Sequence, residues 1–118
     1  MFKFEKLDIW KKAANFADTV YHTTRTFPSD ERFGLTSQLR RAAVSVSSNI
    51  AEGASRSSDN DFARFLEIAY GSLLEAVSES EIARRQGFLD NSKYTTLYNQ
   101  AEELSKMLSG FRKAIKSK

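Results

Sequence analysis

The side chains with the most chemical potential in this 118-residue chain are two close pairs of carboxylates, Glu75 with Glu79 and Glu102 with Glu103. A spacing of four puts Glu75 and Glu79 on one helix face, and a carboxyl held away from water can serve as a general acid or base. Such pairs more commonly line the flank of a helix bundle or an interface. An enzyme built on this chain would have to use carboxylates such as Glu52 and Glu75, because no other reactive group is placed for chemistry. A di-iron or di-manganese site in a bundle needs glutamates from two helices and Glu-x-x-His from the other two. The sole histidine, His22, has no glutamate three residues before it. There is no cysteine, which excludes thiolate nucleophiles, thiolate metal sites and disulfides. No glycine-rich phosphate loop is present, and Gly71-Ser72 falls inside a helical pattern, away from any strand-to-helix elbow. The expectation is a non-enzyme with no catalytic residue, cofactor or metal.

The remaining chemistry is cationic. Basic residues stand as Lys11-Lys12, Arg40-Arg41, Arg56, Arg64, Arg84-Arg85 and a terminal cluster of Arg112, Lys113, Lys116 and Lys118. Net charge is +3 and the pI is about 9.3, which is compatible with a nucleic acid or acidic partner, although charge alone favours simple solubility. The Arg84-Arg85 doublet belongs in the last turn of a helix, where cations face the negative end of the dipole. Glu52 and Arg56 are spaced to pair along a helix. Lys11, Lys12, Arg40 and the tail are left without an evident structural task. Candidate phosphate contacts are therefore Lys11, Lys12, Arg40, Arg41, Arg56, Arg64, Arg112, Lys113 and Lys116. No helix-turn-helix, paired RNP aromatics or zinc finger is there to read bases, so binding would be electrostatic and tolerant of shape.

Helices must carry these side chains. One proline and five glycines leave too few turns for a sandwich, and the class is all-α, in one domain. Helix one spans about 7–26, with Leu7, Trp10, Ala14, Ala17, Tyr21 and Thr24 as its inward stripe, and stops at Phe27-Pro28. Helix two spans about 36–54, with Gly53 available for a left-handed cap. Helix three spans about 59–87, capped by Ser58 and striped by Phe62, Leu66, Ala69, Leu73, Ala76, Ser80 and Ala83. Helix four spans about 91–115, striped by Tyr94, Leu97, Ala101, Leu104, Leu108, Phe111 and Ile115. Short connectors force neighbours to alternate in direction, giving an up-down-up-down antiparallel four-helix bundle. No apolar run nears the ~20 residues of a membrane span, and the opening MFKFEKLDIWKK is unlike a signal peptide, so a cytoplasmic protein without a membrane role is expected.

Helix two is unusual in being thin all round. Leu39, Ala43, Val46 and Ile50 form its core stripe, while Arg41, Ser45, Ser48 and Glu52 form the opposite one, where Lys, Glu and Gln would be usual against water alone. Two arrangements satisfy this: a second copy of the chain against the outer stripe, or a tight crossing inside a monomer with Asn49 bonded locally. Under the first, the seam would hold Arg41, Ser45, Ser48, Asn49, Glu52, Gly53, Gly71, Ser72 and Glu75.

The stretches FEKLDIWKKA, FGLTSQLRRAAVSVSSNIAEGASR and FARFLEIAYGSLLEAVSESEIARRQGFL, and above all R-R-A-x-x-S-x-x-x-N-I-A-E-G-x-x-R, carry a family likeness over nearly the whole chain. The sequence resembles the four-helix-bundle proteins encoded in intervening sequences of bacterial 23S ribosomal RNA genes. More distantly, it is similar to the accessory variability proteins that assist the reverse transcriptase of diversity-generating retroelements. The resemblance implies a homopentameric barrel with a basic surface, no catalytic residues, and a role in binding RNA or DNA or in serving a nucleic-acid enzyme. The alternative is a protein-interaction scaffold or reverse-transcriptase partner that never touches nucleic acid itself.

Overall fold

The computed structural model describes residues 1–118 as four helices, α1 (Asp8–Thr24), α2 (Leu35–Ala54), α3 (Asp59–Arg85) and α4 (Asn91–Lys116). Two short 3-10 turns, Lys3–Lys6 and Ser29–Glu31, precede α1 and α2. The helices form an antiparallel bundle of 46 × 22 × 20 Å, with α1 against α2 and α4, and α3 against α2 and α4. The α2–α3 contact is the most extensive, and the diagonal pairs stay apart. No helix is long and apolar enough to cross a membrane.

Local chemistry sets the helix ends. Ser58 Oγ accepts from the Asp61 amide at 3.1 Å, and Asp90 Oδ1 accepts from the Lys93 amide at 2.8 Å, each satisfying one otherwise unpaired donor of the first turn. Gly34 precedes α2, where Glu31 reaches forward to accept from the Leu35 amide at 3.0 Å. Gly87, at φ +80°, ends the α3 segment and lets the Phe88 amide return to the Ala83 carbonyl at 2.9 Å. Phe88 then meets Phe27 of the α1–α2 connector at 5.9 Å between ring centres, plugging that end of the bundle.

The predicted stripes of α2 and α3 are buried throughout, as are Leu97, Ala101, Leu104, Leu108 and Ile115 of α4. The stripe of α1 needs correction. Its core residues are Ile9, Ala13, Phe16 and Val20, a face rotated from the expected one, with Thr24 the buried residue common to both. Ile9, Ala13, Phe16 and Val20 turn inward, whereas the amphipathic Trp10 is partly buried at the margin of the core and Tyr21 is exposed. Gly53 is corrected too. It lies within α2 in ordinary helical geometry, and Gly87 alone has positive φ. A Cβ on Gly53 would lie 2.7 Å from Phe65 Cβ and 2.9 Å from Phe62 Cδ1, so glycine here permits the close α2–α3 crossing.

Candidate functional site

Helix α3 has a groove on each flank. The first lies between α2 and α3, with a volume of about 360 Å³, lined by Gln38, Arg41, Ala42 and Ser45 from one helix and Ser72 and Glu75 from the other. Ser45 Oγ and Ser72 Oγ share a hydrogen bond of 2.9 Å across it. Asn49 Nδ2 donates to the Ser45 carbonyl at 2.8 Å and to Ser45 Oγ at 3.0 Å, so this amide is bonded locally. The tight crossing inside the chain thus accounts for Gly53, Ser45, Asn49 and Ser72. It does not account for Arg41, Ser48, Glu52, Gly71 and Glu75, all of which are exposed on the outer surface. Arg41 and Glu75 line one groove from opposite helices without forming an ion pair. Nothing lies within 4 Å of where a Cβ on Gly71 would sit, although glycine in a helix interior costs about 1 kcal/mol relative to alanine.

Glu79, one turn beyond Glu75, is half-buried, and its Oε1 is enclosed with no hydrogen-bond partner. Burial first, and then the neighbouring Glu75 carboxylate, push its carboxyl up to about 7. The pair therefore has one desolvated member, the condition that acid–base chemistry would require. Glu102 and Glu103 diverge: Glu103 pairs with Lys12 of α1, while Glu102 faces the α3 side.

Of the cations expected to lack a structural task, three have one: Lys12, Arg40 and, in the tail, Arg112, which pairs with Glu67. Lys12 Nζ is 2.9 Å from Glu103, linking α1 to α4, and the hydrogen bond to that carboxylate raises the Lys12 pKa. Arg40 Nε donates to Thr24 Oγ1 at 2.8 Å with its guanidinium 4.6 Å from the centre of the Tyr21 ring, tying α2 to α1. Arg56 pairs with Glu52 at 3.2 Å, as its spacing foretold, and also covers Phe65 at 4.7 Å, with Arg64 at 5.5 Å from the same ring. Arg84 and Arg85 do more than face the helix dipole: both grip Glu81, at 2.6 and 3.0 Å, and hold its carboxyl down to about 2. Lys11, Arg41, Lys113 and Lys116 make no ion pair within the chain.

The second groove runs between α3 and α4 and has no counterpart in the sequence reading. Near the α4 C-terminus it opens to about 420 Å³, with Leu66, Leu108 and Tyr70 beside Ser109, Arg112 and Lys113. Arg112 Nη2 donates to Glu67 at 3.0 Å, but its Nε is buried with no acceptor. A smaller hollow of about 170 Å³ continues the groove past Leu74, Val77 and Tyr98. The only forewarning in the sequence is Tyr98 four residues after Tyr94, one turn along the same face.

No curated protein matches this chain. A crystal structure of a protein of unknown function from the S23 ribosomal protein family of Bacteroides thetaiotaomicron superposes with a TM-score of 0.82 at 24% identity, covering 89% of this chain and 98% of that one. That likeness supports the four-helix architecture. The family model described as 23S rRNA-intervening sequence protein matches residues 5–110, nearly the full bundle and all of the R-R-A-x-x-S-x-x-x-N-I-A-E-G-x-x-R stretch, and the chain belongs to that family.

Proposed function

We propose that this protein is a non-enzymatic homo-oligomer of helical bundles, a pentamer as the family resemblance implies, that binds RNA or DNA through phosphate contacts. The observation that carries the proposal is Gly71: an exposed glycine in mid-helix, with open space around it, on the face that also presents Arg41, Ser48 and Glu75. A lone bundle gains nothing by leaving that site without a side chain, whereas a neighbouring backbone could approach closely there. Ile68 and Val44, at 43% and 39% exposure, add apolar area to the same pair of helices. An unpaired Arg41 near such a contact has a reason to await a partner carboxylate.

Assembly also changes the electrostatics. Five chains of +3 carry about +15, a field strong enough to gather polyanions although one chain is only mildly basic. Lys11, Lys113 and Lys116, free of internal partners, head the list of phosphate contacts, while Lys12 and Arg40 are already engaged. Light scattering coupled to size exclusion tests the first half, and a lone protomer at micromolar concentration refutes it. Filter binding against salt tests the second: affinity should fall steeply as salt rises, and binding that is absent at about 50 mM salt refutes it. A nuclease-treated pull-down that still recovers a defined protein would instead favour a scaffold.

A further inference from the structure

We propose that the groove between α3 and α4 is a track for single-stranded nucleic acid, with Tyr70 and Tyr98 as stacking surfaces for bases and Arg112 and Lys113 as phosphate contacts. This rests on the nucleic-acid reading above and sharpens it, since phosphate contacts alone would serve a duplex equally.

A strand without a fixed sequence is held by two features together: cations that follow the backbone and aromatic faces on which exposed bases stack. The two hollows of this groove follow one another along α4, and each has a tyrosine in its wall. Tyr98 is 45% exposed, and Leu74 opposite it is 51% exposed, so an apolar slot stands open to water. Arg112 reaches the groove wall with its side chain 37% exposed and its Nη2 held by Glu67, so an incoming phosphate would share the outer edge of the guanidinium with that carboxylate. Lys113 beside it forms no ion pair, and Lys116 follows Arg112 by one helical turn. From Tyr98 to Arg112 is fourteen residues of helix, about 21 Å, which suits the short end of single-strand site sizes, about four nucleotides.

The groove also holds carboxylates. Glu67 is already paired with Arg112, whereas Glu102 in the smaller hollow has no cation partner. Glu102 would repel a phosphate, which supplies a gain-of-affinity test. The α2–α3 groove offers no comparable platform: its lining has no aromatic residue.

The experiment is fluorescence anisotropy of the full chain with labelled single-stranded RNA and DNA octamers and with a duplex of the same sequence, at about 50 mM salt. The single strands should bind more tightly than the duplex. Tyr98→Ala should weaken single-strand binding by about 5- to 100-fold, while Tyr98→Phe, which keeps the ring, should bind like the parent. Glu102→Gln should tighten it several-fold. Tyr98 is exposed enough that its loss leaves the fold intact, checked by circular dichroism. If Tyr98→Ala binds the octamers as well as the parent does, or the duplex binds equally tightly, the track is refuted while general nucleic-acid binding stands. If neither form of nucleic acid binds, both proposals fall.

Discussion

The two flanks of α3 are built from opposite materials. Toward α2 the residues are short and weakly polar, with Ser45 bonded to Ser72 and glycine at positions 53 and 71; toward α4 they are long, aromatic and cationic, with Tyr70, Tyr98, Arg112 and Lys113. Both flanks carry a groove, but short side chains let the α2 and α3 backbones cross closely, whereas rings and long cationic side chains wall the α3–α4 groove. In the two proposals above, the α2 side would serve contact between protein chains and the α4 side contact with an extended ligand. One helix can serve both because its two flanks lie on separate faces of the bundle.

The largest effect that could break this contrast is expected at Ser48, on the outer stripe of α2. Ser48→Lys should dissociate the oligomer in light scattering with helicity unchanged; a fully assembled variant would remove Ser48 from the contact. Gly53→Val comes next. A side chain there drives into Phe65 and Phe62, so urea unfolding should show a loss of about 3 kcal/mol, and an unchanged midpoint would mean the helices separate freely.

Gly71→Ala sharpens the comparison, because a lone bundle and an assembled one respond with opposite signs. With only solvent outside, alanine should stabilise the helix by about 1 kcal/mol. With a second backbone pressed close, it should weaken assembly, so dilution experiments should show the variant dissociating at higher concentration than the parent.

The smallest effect concerns Glu79. Its folded pKa of about 7 lies above the ordinary 4.5, so the native state keeps a proton that the unfolded chain has released. Stability from this group is therefore present below about pH 4.5 and is lost as pH rises through about 7. Glu79→Gln removes that dependence, and its melting temperature relative to the parent should climb between about pH 5 and pH 8. Partial exposure keeps the change modest. A constant difference across that range would mean that Glu79 is well solvated.

Much of the frame was legible in the chain, and particular residues show why. Ser58 and Asp90 act through amides three residues away, so their caps follow from local spacing. In α2, Leu39, Ala43, Val46 and Ile50 are the only run of apolar residues at helical spacing whose opposite stripe is polar, and all four are fully buried. In α1, two neighbouring stripes compete, one through Ile9, Phe16 and Val20 and the other through Trp10, Ala17 and Tyr21. Period alone cannot choose between faces one residue apart; packing against α2 and α4 chose the first.

The candidate sites divide along the same line. The short outer stripe of α2 marks that face in the sequence alone, and Arg41, Ser48, Glu52, Gly71 and Glu75 lie at the surface of α2 and α3. Lys12 and Arg40 looked idle because their partners, Glu103 and Thr24, are 91 and 16 residues away. The α3–α4 groove has no local signature for the same reason, since Tyr70 and Arg112 belong to one hollow only after two helices align.

Helix extent, caps and most of the inward faces are short-range matters, governed by hydrogen bonds and side-chain spacing within about one or two turns, and for these the order of residues suffices. Which cation is neutralised, which glycine is crowded and where a cleft opens are set by the register of one helix against the next. That register comes from packing the whole core at once, when Leu66, Leu73, Leu104 and Leu108 interlock and bring distant charges and rings to common edges.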